Sequence, residues 1–332
     1  MVLHYPSQAV FKLNKLLTNT ENFCKLDEMK KFLVLAAVLL IVFACDKVKN
    51  PIQNMNAFLP PASPACVTPH VVKTNTAISS YRKILVEDYT GHTCGYCPNA
   101  ARQIETLFNT YKDSMIAISV HAGTTFAPPQ LPDYPEDFRV SEGADWDNML
   151  GMSGAGFPKV SVNRAQTPFP QGWNTLPSLV PANLHKPQTV KLDITTYLDT
   201  NSLLMNVKVH AKFLSALSNN PYLVLVITED SIIANQHDYN PPASANICTS
   251  DPYLSCNYVF ANVLRGSLSG SAGESLKTPP VAINDTLTKT YNCYKVSSFR
   301  GQKRDVKNMS LVAFVYDFTT KEILQAEKLS LK

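Results

Sequence analysis

The chain has 332 residues, 45% hydrophobic and only 17% charged, which is enough to bury the cores of two ordinary domains and too apolar for a disordered tail or a long coiled coil. Thirty basic against 26 acidic side chains leave a net charge of +4 with no long Lys/Arg run, which argues against nucleic acid as a partner. Pro outnumbers Gly 23 to 12 and no GxGxxG or GxxxxGK[ST] pattern occurs, so no phosphate cradle is expected and no cofactor is called for.

The first feature in chain order is an apolar run over residues 32–43, preceded by Met29-Lys30-Lys31. Its length is about half of what spans a bilayer, which is the layout of a secretory signal. The run ends in Val42-Phe43-Ala44-Cys45, which resembles the lipobox of bacterial lipoproteins and implies acylation of Cys45 after removal of residues 1–44, with Met29 as the expected start. Acyl chains there would hold the protein on a membrane at ~0.8 kcal/mol per buried CH₂. The mature chain keeps 25 basic and 23 acidic residues, a net +2. Six cysteines remain free to pair: Cys66, Cys94, Cys97, Cys248, Cys256 and Cys293, an even number in a compartment that permits disulfides. Residues 45–80 carry Pro51, Pro60, Pro61, Pro64 and Pro69 without a sustained period and read as a lipidated, semi-extended spacer.

A first domain is expected over residues 81–186. Lys83-Ile84-Leu85-Val86-Glu87-Asp88-Tyr89 reads as a buried strand, and Thr90-Gly91-His92-Thr93-Cys94-Gly95-Tyr96-Cys97-Pro98 as a turn. Ala101, Ile104, Leu107, Phe108 and Tyr111 recur at helical steps, and Met115-Ile116-Ala117-Ile118-Ser119-Val120 supplies a second strand, so a parallel crossover is the natural assembly. An insertion over residues 121–155 carries Pro128, Pro129, Pro132 and Pro135, then a short helical stretch near residues 138–150 with Trp146, and reads as a lid. Gly156-Phe157-Pro158 then leads into the strand Lys159-Val160-Ser161-Val162.

At this point the chain resembles the thioredoxin-like superfamily, through Cys94-Gly95-Tyr96-Cys97 between strand and helix and through Pro158 before a strand. The resemblance implies a cis Pro158 beside the two sulfurs and a buried carboxylate at Asp88, with Glu87 competing for that role because alternation puts the two on opposite faces. A helix N-terminus favours a thiolate and would lower the Cys94 pKa from about 8.5 towards 7. Cys94 is then the attacking sulfur, Cys97 the resolving one, and the carboxylate accepts the Cys97 proton. The alternative is a permanent disulfide in a scaffold used for binding. Zinc is not expected, because no second CxxC or HxxxH follows, and His92 reads as an exposed turn residue.

Beyond Pro187 the period changes to two. Val190, Leu192 and Ile194, then Leu203, Met205, Val207, Val209, Ala211 and Phe213, alternate with polar residues, and residues 223–227, 311–316 and 322–329 add strands. An immunoglobulin-like β-sandwich over residues 187–332 is the expectation, so the fold class is α/β plus all-β. Cys66, Cys248, Cys256 and Cys293 allow three pairings, among which sequence does not choose; Cys248 with Cys256, which closes a short loop, is the preferred bond, worth roughly 2 to 3 kcal/mol in the loop-entropy picture. The polar, Pro-containing loop over residues 235–257 is suited to recognition but reads more simply as solvated.

The whole order resembles outer-membrane lipoproteins related to outer membrane protein 28. The carrying segments are Val86-Glu87-Asp88-Tyr89-Thr90-Gly91 with the CxxC, Gly156-Phe157-Pro158, residues 258–265, and Val312-Ala313-Phe314-Val315-Tyr316-Asp317. That resemblance implies outer-membrane attachment on either the periplasmic or the surface side, with adhesion or receptor roles proposed for such proteins. Two functions follow: thiol–disulfide exchange on envelope or secreted proteins, or a surface binding lipoprotein in which the CxxC disulfide is only structural. Either has a protein or peptide as its partner.

Overall fold

The computed structural model describes residues 71–76, 80–165, 170–199, 201–248, 251–296 and 306–332. The expected signal segment, Cys45 and Cys66 lie outside the described residues. The expected spacer meets the folded part in β1 (Val71–Thr76), a β-branched run that pairs antiparallel with a later strand.

The crossover follows. β2 (Ile84–Thr90) leads through the cysteine turn into α1 (Cys97–Tyr111), and β3 (Met115–His121) returns parallel to β2, Ile84 opposite Met115 and Thr90 opposite His121. In the insertion, α2 (Ser141–Leu150) ends at Gly151, whose φ of +67° closes the helix in the left-handed region that glycine reaches at least cost. β4 (Lys159–Val162) runs antiparallel to β2 on its other edge, followed by β5 (Gln171–Gly172) and α3 (Leu176–Asn183).

The chain then turns to strands. β6 (Val190–Asp199) and β7 (Leu204–Phe213) pair antiparallel along their full length and alternate buried with half-buried residues, as the period of two predicts. β8 (Pro221–Glu229), β9 (Ile232–His237), β10 (Asn246–Ile247), β11 (Leu254–Phe260), β12 (Val263–Ser267) and β13 (Glu274–Ser275) follow. β14 (Thr286–Lys295), β15 (Met309–Asp317) and β16 (Ile323–Ser330) complete the described strands. They form a four-stranded sheet β1-β6-β7-β14, a small sheet β10-β11-β9, and a central sheet ordered β16-β15-β8-β12-β3-β2-β4-β5, with β13 pairing to β8.

The central sheet runs across residue 187. β12, from the C-terminal half, pairs parallel with β3 at Val263 and Ser119, and antiparallel with β8. Among the described residues, three large apolar interiors flank this sheet, besides a small one of Phe138, Ala234, Phe260 and Val263. Ile84, Val86, Met115 and Ala117 meet α1 and α3 through Ile104, Leu107, Leu176 and Val180. On the opposite face Leu85, Tyr89, Ile118, Val226 and Phe314 meet Trp146 of α2. The other side of β8 and β15, through Leu225, Ile227, Leu311 and Ala313, packs on Ile194, Val207 and Val209 of the four-stranded sheet. β15 is therefore buried along its whole length, where a sandwich strand with one solvated face would alternate. At about 25 cal/mol per Å² of apolar surface, interiors of this extent are what hold the two halves together.

Candidate functional site

Alternation in β2 decides the chemistry on each face. Asp88 shares its face with Ile84 and Val86, toward α1; Glu87 shares the other with Leu85 and Tyr89. α1 begins at Cys97 with Pro98 in its first turn, where a missing N–H costs nothing, and the Cys97 N–H donates to the Cys94 carbonyl at 3.1 Å. Cys94 thus sits in the turn just ahead of the helix. Cys94 and Cys97 are joined as a disulfide, their Cα atoms 5.4 Å apart, and each is only 2% exposed. The Phe157–Pro158 peptide is cis. Since Tyr89 lies opposite Lys159, Pro158 enters the sheet at the end of β2 from which the cysteine turn departs.

Asp88 is fully buried, and one of its carboxylate oxygens has no hydrogen-bond partner among the described residues. Burial pushes its carboxyl up from 3.8 to about 7. It lines a cavity of about 720 Å³ between α1 and the β9–β11 pair, together with Cys97, Arg102, Ser119, Tyr258 and Lys328. Burial raises the Tyr258 phenol as well, with Arg102 opposing the shift and Asp88 and Asp238 adding to it. Glu87 is placed elsewhere: Arg164 donates to both of its oxygens, from Nε at 2.9 Å, and the guanidinium lies 5.3 Å from the Trp146 ring and 5.4 Å from that of Phe314. The structure brings Cys94, Cys97 and Asp88 to one side of β2 and leaves Glu87 on the other.

His92 is not an exposed turn residue. It is buried beneath the insertion, its Nε2 3.0 Å from the Pro128 carbonyl and its ring stacked on Tyr134 at 5.6 Å, and burial lowers its pKa to about 4. The insertion folds this closely because of Gly91: a Cβ there would fall 2.4 Å from the Phe126 carbonyl group, which accepts from the Thr93 N–H. The polar loop after β9 is mostly exposed, as expected, but it starts against the site. Its first residues lie on the cysteine turn, with Tyr239 N–H donating to the Gly95 carbonyl at 2.9 Å and Arg102 gripping Asp238 at 2.7 Å. No spacing rule links residues 95 and 239, so the sequence carried no signal for this contact. Cys248 and Cys256 form a disulfide and Cys293 is disulfide-bonded as well. No group of three or more metal-ligating side chains occurs among the described residues.

A parallel strand–helix–strand unit with a cysteine pair at the helix start, sharing one sheet with antiparallel layers, defines a mixed α/β protein built mostly of strands around a disulfide site. The family model described as outer membrane protein Omp28 matches residues 147–332, more than half of the chain. The chain belongs to this family, and with it to the outer membrane of the cell envelope. The match includes Pro158 and stops short of Cys94 and Cys97.

Among solved structures the chain is similar to HBP35 of Porphyromonas gingivalis, with 18% identity over 76% of each chain and a TM-score of 0.53, a likeness of fold. It is also similar to a domain of the outer membrane lipoprotein Omp28 from Porphyromonas gingivalis, with 19% identity over 43% of this chain and 88% of that one and a TM-score of 0.26. Protein AGR_C_4864 from Agrobacterium tumefaciens matches at 10% identity over 76% and 96% of the two chains, with a TM-score of 0.42. No curated protein matches the chain.

Proposed function

We propose that this protein is a thiol–disulfide exchange protein held on the outer membrane by acyl chains on Cys45, with the stretch from residue 45 up to β1 as its tether and secreted or envelope proteins as its substrates. The reading takes residues 81–186 as a thioredoxin-like part and residues 187–332 as an immunoglobulin-like one, joined through the central sheet. The observation that carries it is Asp88: a buried carboxyl with one oxygen unpartnered among the described residues, pushed up to about 7 by burial, on the wall of a cavity that Cys97 also lines. A carboxyl poised near the working pH can give or take the proton of a resolving thiol.

With the pair oxidised, a substrate thiolate attacks Cys94 Sγ; the bond to Cys97 breaks, and Cys97 leaves as a thiolate that takes the Asp88 proton. A second substrate thiolate attacks the substrate sulfur of the mixed disulfide and expels Cys94 as a thiolate. The substrate has lost two electrons and become a disulfide, and the cysteine pair has gained them. Run backwards, Cys94 is the nucleophile and Cys97 the resolver.

A second reading, a binding or adhesion lipoprotein with a purely structural disulfide, is favoured by the 2% exposure of both cysteines. The reduction potential of the full chain, titrated against glutathione and read by alkylation mass spectrometry, separates the two. A value between about −120 and −270 mV supports exchange; one below about −300 mV supports the structural disulfide.

A further inference from the structure

The covering of the cysteine pair has a definite chemistry. From the last residues of β9 onward the backbone runs along the cysteine turn, with the His237 N–H donating to the His92 carbonyl at 2.8 Å and the Tyr239 N–H to the Gly95 carbonyl at 2.9 Å, while the Asp238 N–H between them donates the other way, to the Tyr253 carbonyl at 2.8 Å. Between them, Gln236 Nε2 donates to the Cys94 carbonyl at 3.1 Å. Donors from residues two apart are how an added strand pairs with a free backbone edge.

The side chains of this strap are equally specific. The Tyr239 ring lies over Gly95, where a Cβ would fall 2.5 Å from it, and meets Tyr96 edge-on at 4.9 Å. Asp238, 1% exposed, turns the other way and is held by two Arg102 nitrogens at 2.7 and 3.3 Å. Arg102 stands on α1, the helix that Cys97 opens. Main-chain pairing fixes a peptide in extended form, and the two side-chain seats give it identity.

We propose that residues 236–240 are a built-in occupant of a peptide groove over Cys94–Cys97, and that the external ligand is an extended peptide with an acidic residue followed by an aromatic one. Arg102 is the acidic seat; Gly95 with Tyr96 is the aromatic seat. The proposal rests on the exchange reading above and adds what the site binds and what holds it shut. Because the strap is part of the same chain, its effective concentration at the groove is in the millimolar range or higher, so an external peptide needs either a high concentration or a loosened strap. Opening it means releasing these bonds together with the pairing of Gln236 and His237 to β11, a local opening short of global unfolding.

The test uses the full chain and the rate at which a water-soluble phosphine reduces Cys94–Cys97, followed by alkylation mass spectrometry. Arg102→Gln and Tyr239→Ala are compared with wild type and with Lys289→Gln, which lies in another sheet, as the control for general loosening. We expect both strap variants to be reduced about tenfold faster or more, and the control to be unchanged. Millimolar Gln-His-Asp-Tyr-Asn peptide, blocked at both ends, should slow Tyr239→Ala again, while the same residues in scrambled order should not. Wild-type rates in both strap variants would overturn the proposal. So would faster reduction that neither peptide slows, because the strap would then be a cover with no groove beneath it. The potential is read separately, so a pair too stable for exchange that still shows the peptide effect would remove the exchange reading and leave the groove.

Discussion

Glu87 and Asp88 are neighbours in one strand, and both are carboxylates taken out of water, yet they face interiors built in different ways. The Glu87 side supplies a guanidinium with matched geometry and a surround of aromatic rings over which Arg164 is spread. The Asp88 side supplies a cavity and leaves one oxygen without a partner among the described residues. Burial alone therefore does not mark a reactive group. What separates structure from chemistry here is whether the desolvation cost is offset by a fixed opposite charge or is left to raise the proton affinity.

Breaking the paired side should have the largest effect. Arg164→Met leaves Glu87 charged and alone in an apolar interior, and a loss of about 3–5 kcal/mol is expected from the urea unfolding midpoint. The double variant Arg164→Met/Glu87→Gln should recover much of that, because no uncompensated charge remains. If the double variant is as unstable as the single one, the ion pair is not what the surrounding rings were built around.

Asp88→Asn should act in the opposite direction. The native carboxyl titrates at about 7 and the unfolded one near 3.8, so between those pH values the native state binds more protons and stability falls as pH rises. The full window corresponds to about 4 kcal/mol as an upper bound, since a pKa unit is about 1.36 kcal/mol. The asparagine variant should gain stability at pH 8 and little at pH 4, and it should slow exchange. An unaltered pH slope would mean that Asp88 finds a partner after all.

His121 carries the reverse slope. It is buried between Phe138 and Phe260, with neither ring nitrogen hydrogen-bonded among the described residues, and burial, then His92 and Arg265, lower its pKa from 6.5 to about 3. Here the unfolded state binds the extra proton, so stability is lost as pH falls below 6.5, by about 3 kcal/mol at pH 4.5. His121→Leu should remove that acid loss while leaving the Asp88 slope in place. The two variants together resolve opposing slopes that partly cancel in the wild type.

Much of this site was legible in the sequence, for local reasons. The strand, the cysteine turn, the helix and the second strand follow from periods and from turn residues within 40 positions of each other, and the opposite facings of Glu87 and Asp88 follow from the pleat. The Cys248–Cys256 bond was legible as a short loop. What the sequence hid are pairings across long separations. Arg164 reaches Glu87 from a turn with no charged motif, β12 joins β3 from the far half, and the end of β9 with the polar residues just after it spends the His237 and Tyr239 donors on carbonyls of the cysteine turn. Polar composition signals solvent only when no backbone edge is waiting for those groups, and a single sequence does not show where such edges are.

The smallest effect comes from the chemistry of Glu87 and Arg164 moved to the surface. Lys289 and Glu274 are 2.9 Å apart, a full ion-pair contact, but their side chains keep 30% and 40% of their exposure. Water screens the attraction and both chains keep the option of hydration, so Lys289→Ala should cost less than about 1 kcal/mol and the cost should shrink further in high salt. Arg164→Met should show almost no such salt dependence, because its pair lies beyond the reach of mobile ions. Measuring both variants at low and high ionic strength separates distance from solvation as the source of the difference between the pairs: equal salt responses would mean that the interior beneath Trp146 is wet, and the contrast between the two faces of β2 would then have to be explained by geometry alone.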